Sequence, residues 1–158
     1  MGFFRKILCP IDFDDNSIAA LDYARDLAKE QDATLYVMHV VFVPLASPGF
    51  PIEPYPVVSE EPSKLELQKL AHEHLDGAVR YELATRIGKP AETINQAAQD
   101  LDIDLIVMAT HGRTGVTRLF LGSVAQHVAR TSKRPVLTIR PTDNGAQQLS
   151  ERPAIRLS

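Results

Sequence analysis

Two short stretches carry groups whose chemistry goes beyond packing. The first is Pro10-Ile11-Asp12-Phe13, where the carboxylate of Asp12 follows directly on the apolar run Lys6–Pro10. The second is Met108-Ala109-Thr110-His111-Gly112, followed after nine intervening residues by Gly122-Ser123-Val124. Glycine has no side chain to hold an anion away from main-chain N–H groups. A helix beginning at Ser123 would add unpaired N–H donors and the positive end of its dipole. Gly122, Ser123 and Val124 could therefore grip phosphate through main chain, with the Ser123 hydroxyl as an extra donor. Arg113 and Arg118 would add charge from the intervening loop. Taken singly, each feature has a plainer reading. A Gly-Ser pair is an ordinary helix cap, Asp12 an ordinary turn residue and His111 an ordinary loop histidine. Their shared position at the ends of two apolar runs favours the joint reading.

Those runs belong to a regular alternation. Residues 6–10, 34–43, 79–87, 104–109 and 135–139 are short and apolar or alternating, as strands are. Between them lie helical patterns. One runs from the caps at 14–17 to Glu30, one over 63–75, one from Pro90 to Leu101 and one from Val124 to Ser132. Residues 44–62 hold six prolines, Pro44, Pro48, Pro51, Pro54, Pro56 and Pro62, and read as an irregular loop. Residues 1–141 form one domain, and 142–158 a polar, loosely docked tail. Five strands alternating with helices predict an α/β fold, a parallel sheet with helices on both faces. Ligands of such sheets sit beyond the carboxyl ends of the strands, where strand order reverses.

Bulk properties narrow the function. The chain has 158 residues, 44% hydrophobic and 23% charged, with a net charge of −3. That is one ordinary globular domain, with no general attraction to nucleic acid or anionic membranes. The single cysteine, Cys9, cannot form an internal disulfide and reads as a small buried filler. No apolar stretch is long enough to span a bilayer, and MGFFRKILCPID lacks the features of a signal peptide, so a cytoplasmic location is expected. Neither G-x-x-x-x-G-K-S/T nor G-x-G-x-x-G occurs. His72 and His74 point in different directions on a helix and predict no shared metal, and His39 reads as a packed or hydrogen-bonded strand residue.

Three separated segments resemble the universal stress protein family: KILCPIDFDDNSIAALDYARDLA, GKPAETI, and MATHGRTGVTRLFLGSVAQHVARTSKRPVLTIRP. The resemblance runs from about Phe4 to Pro141. The resemblance implies a Rossmann-like fold of the adenine nucleotide alpha hydrolase kind, with strand order 3-2-1-4-5. It implies bound ATP or AMP, with Mg or Mn entering through the phosphates. Nucleotide-binding members carry glycine, two residues, glycine, nine residues, glycine, then Ser or Thr. Gly112, Gly122 and Ser123 fill the last three positions, while Ala109 replaces the first glycine and could crowd the ribose or base side. By the same resemblance Asp12 accepts from the adenine amino group, beside Pro10 and Ile11, and Val40 and Met108 contact the ring. His111, Gly112, Arg113 and Val124 complete the expected site.

The resemblance also implies that the fifth strand is a sheet edge that pairs with its twin in a homodimer, through residues 136–140 with Val136 and Arg140 at the ends. The expected role is a regulatory module in stress response, working with a protein partner that the sequence does not identify. A nucleotide-free dimer acting by protein contacts is the alternative, kept open by Ala109. A slow ATP hydrolase is less supported, because His111 is the one candidate base.

Overall fold

A computed structural model describes residues 2–43, 58–110 and 121–140, together with the backbone of 155–157. The chain runs β1 (Lys6–Pro10), α1 (Asp15–Gln31), β2 (Thr34–Val41), α2 (Glu61–His74), β3 (Arg80–Ile87), α3 (Pro90–Asp100), β4 (Leu105–Ala109), α4 (Ser123–Thr131), β5 (Val136–Ile139) and β6 (Ile155–Leu157). The first five strands form a parallel sheet in the order β3-β2-β1-β4-β5, as expected. Order reverses between β1 and β4, which pair directly at Ile7 with Leu105 and Leu8 with Ile106.

Local chemistry accounts for the elements. Every residue of β4, Leu-Ile-Val-Met-Ala, is buried, the mark of a central strand covered on both faces. α1 starts where the Asp14 carboxylate accepts the Ser17 N–H, and stops at Asp32 in the left-handed region, φ 54°. α3 opens on Pro90, whose missing N–H costs nothing in a first turn.

The sheet divides the core in two. On one face α1 and α2 cover Ile7, Cys9, Leu35, Val37, Leu105 and Val107. On the other, α3 and α4 cover Leu8, Met38, Ile106 and Met108. Each such side chain contributes about 1.5–3 kcal/mol by leaving water.

Two expectations need correction. α2 starts at Glu61 and takes in Pro62, which had been assigned to the loop. Proline is excluded from a helix interior, whereas the first turn needs no N–H there. The tail beyond Pro141 also supplies β6, antiparallel to β5 with Ile139 opposite Ile155 and Leu137 opposite Leu157. Within this chain, then, β5 has a neighbour on each side and is not the last strand of the sheet. A three-residue strand is stabilised by its partner, not by its own propensity, so it leaves little trace in sequence.

Candidate functional site

The carboxyl ends of β1 and β4 define the reversal point, and the elements that leave it determine what stands there. After Pro10 pairs with Met38, Ile11 extends the ladder by one bond, its N–H donating to the Met38 carbonyl. The chain then turns through Asp12 and Phe13. The Asp12 N–H donates to Ser17 Oγ at 3.3 Å, and Asp12 Oδ1 accepts the Asp14 N–H at 3.2 Å. Phe13 has φ 65°, a left-handed conformation unfavourable for a bulky aromatic residue. Its ring lies 4.6 Å from that of His39, and His39 Nδ1 donates to the Ile11 carbonyl at 2.7 Å.

Asp12 stands close enough to Asp14 to affect its ionisation. Burial is the main cause that holds the Asp14 carboxyl above the usual range. The Ser17 N–H pulls it down, and Asp12 pushes it up again by hydrogen bonding and charge.

On the β4 side, Gly122 caps α4, and its N–H donates to the Thr110 carbonyl, which follows immediately on β4. The first turn of α4 is thereby tied to the end of the strand. Ser123 is exposed. Val40 and Met108, the two expected apolar contacts, pack in the α3–α4 half of the core, as does Val124 of the expected phosphate site. Ile11 and Ala109 pack in the α1–α2 half. Ala109 is 8% exposed, and its methyl group fills core there. His111, Gly112 and Arg113, with Arg118, lie outside the described residues.

Beside Ser123 and Val124 a cleft of about 330 Å³ opens between the starts of α3 and α4, walled also by Phe42, Lys89 and His127. The sequence reading did not include those three. Their convergence depends on two helices meeting, which leaves no local pattern. His39 was read correctly as a hydrogen-bonded strand residue, but its partner, 28 positions away, could not be read.

Other groups singled out from the sequence are accounted for elsewhere. Cys9 is fully buried, and burial, with Asp22 a lesser cause, pushes its thiol far up and makes it inert. His72 pairs with Asp76 and His74 with Asp22, so the two imidazoles serve separate carboxylates. Among the described residues no helix is long and apolar enough to cross a membrane.

Comparison with known proteins bears on the family and the fold. The family model described as the universal stress protein family matches residues 3–140. Universal stress protein MJ0531 of Methanocaldococcus jannaschii is 36% identical over 145 residues, covering 88% of this chain and 84% of its own length. Universal stress protein YxiE of Bacillus subtilis is 32% identical over 147 residues, covering 87% and 99%. Among solved structures, a universal stress protein in complex with cAMP superposes with a TM-score of 0.66 at 25% identity, covering 87% of this chain and 97% of that one.

Proposed function

The chain belongs to the universal stress protein family, and we propose that it is a regulatory module that binds an adenine nucleotide, ATP or AMP, between the ends of β1 and β4. The observation that carries this reading is the pairing of unlike groups across the reversal point. A carboxylate, Asp12, stands on one side, and the glycine-capped start of α4 is bonded to the end of β4 on the other. A carboxylate accepts from the adenine amino group and repels phosphate. A helix start with a glycine cap does the opposite. Between them Val40, Met108 and Val124 offer apolar surface to a base or ribose. The related protein that carries cAMP supports the adenine class.

In this reading Ser123 and Val124 hold phosphate through their N–H groups and the Ser123 hydroxyl, joined by His111, Gly112 and Arg113 of the loop. Gly122, whose own N–H is held by Thr110, leaves room for the phosphate to approach. A Mg or Mn ion would arrive on the phosphate oxygens. Ala109 counts less against the site than its sequence position suggests, because its methyl group is packed into the opposite half of the core. Equilibrium dialysis with labelled ATP and AMP tests the reading. Saturable binding of either is expected, and none up to millimolar concentration would overturn it. The nucleotide-free alternative would then stand.

A further inference from the structure

We infer that His39 sets the base selectivity of this site, acting as a positioning residue that fastens both neighbours of Asp12 to one imidazole. The inference rests on the adenine-nucleotide reading and deepens it. His39 lies on β2 one position beyond the last β1–β2 ladder pair, Pro10 with Met38. From there its Nδ1 donates to the carbonyl of Ile11, at 2.7 Å, and its ring packs on Phe13. Ile11 precedes Asp12 and Phe13 follows it, so one side chain brackets the carboxylate.

The bracket holds a backbone that would otherwise relax. Phe13 sits at φ 65°, where its Cβ crowds the main chain, and such residues persist only where surrounding contacts over-determine them. Freed from His39, Phe13 gains by returning to negative φ, and that rotation swings the peptide that follows Asp12. The bonds from the Asp12 N–H to Ser17 Oγ and from the Asp14 N–H to Asp12 Oδ1 are long, at 3.3 and 3.2 Å, and resist such a swing weakly. Base reading suffers most. It depends on the direction of one acceptor, whereas phosphate binding uses main chain on the far side of the site.

The test compares ATP and GTP dissociation constants for the wild type, His39→Phe, His39→Gln and Phe13→Gly, by calorimetry on the full chain. His39→Phe keeps an aromatic ring and loses the donor. Its ATP preference over GTP is expected to fall on the order of tenfold, the worth of one charge-assisted hydrogen bond, with GTP affinity little changed. His39→Gln restores a donor and should recover part of the preference. Phe13→Gly accepts φ 65° without strain and leaves the His39–Ile11 bond in place, so it should keep most of the preference. A His39→Phe protein that keeps the wild-type ATP/GTP ratio, or a Phe13→Gly protein that loses as much of it as His39→Phe, overturns the inference and leaves the nucleotide reading intact. A wild-type protein that binds neither nucleotide overturns both.

Discussion

Gly122 donates its main-chain N–H to the carbonyl of Thr110, which ties the start of α4 to the residue that ends β4. The bond fixes where the helix dipole points, at the one place where strand order reverses.

Gly122 itself has φ −57° and ψ 151°, values open to any L-residue, so its glycine is not required by backbone geometry. In the nucleotide reading, close approach of the phosphate is the reason for it. Gly122→Val should therefore fold, losing about 2–4 °C in Tm from a poorer cap, while ATP affinity drops roughly tenfold or more. Thermal melting and dialysis on the same preparation separate the two effects. Unchanged ATP affinity would remove Gly122 from the phosphate site.

Asp12 should discriminate between purines. Its carboxylate accepts from the adenine amino group but repels the carbonyl oxygen of guanine. Asp12→Ala is expected to weaken ATP by roughly ten- to a hundredfold and GTP far less. Asp12→Asn can turn its NH₂ toward guanine and should raise GTP affinity relative to ATP. Equal losses for both nucleotides in titration calorimetry would mean that Asp12 does not contact the base.

How far the sequence could be read depends on the range of the forces involved. β1 matches its expected span, because KILCP is flanked by turn residues and buried on both faces. α3 starts at Pro90 as expected, because that signal is local. Val40 and Met108, set against the base by the family resemblance, share one cluster with Val124 of the helix start. The contact between His39 and Ile11 was not legible, since it joins elements that meet only after the sheet has formed. Lys89 and His127 share a cleft for the same reason. β6 left no signal, because three residues form a strand only when β5 presents an edge to them.

Asp14 makes a pH-dependent prediction. Its carboxyl titrates above the unfolded value of 3.8, so the folded chain binds that proton more tightly than the unfolded chain. Ionising it therefore opposes folding, and the penalty is relieved as pH falls through the folded value toward 3.8. Asparagine caps a helix as well as aspartate and carries no charge. Asp14→Asn should therefore be at least as stable as the wild type at pH 7, with the difference closing by pH 3. Asp14→Ala also loses the cap and should be about 1 kcal/mol less stable than Asp14→Asn at both pH values. Urea denaturation at both pH values provides the comparison. An Asn variant less stable than wild type at pH 7 would show that the carboxylate's interactions outweigh its burial.

The pairing of β6 with β5 bears on self-association. Residues 136–140 were expected to meet a second copy, yet the outer side of Val136–Ile139 is occupied by Ile155–Leu157 of the same chain. A β5–β5 contact and the β5–β6 contact use the same N–H and C=O groups, so one excludes the other. In an antiparallel ladder alternate residues direct their N–H toward the partner. Proline placed singly at Ile155 and at Arg156 will therefore delete a β5 bond in one of the two variants. Losing β6 bares a short, fully buried strand, and an uncovered edge recruits another. The expected outcome is that this variant dimerises at lower concentration than the wild type in sedimentation equilibrium. A variant that instead loses mass would show that the self-association surface is β6 itself, and β5 would then be an interior strand of any assembly.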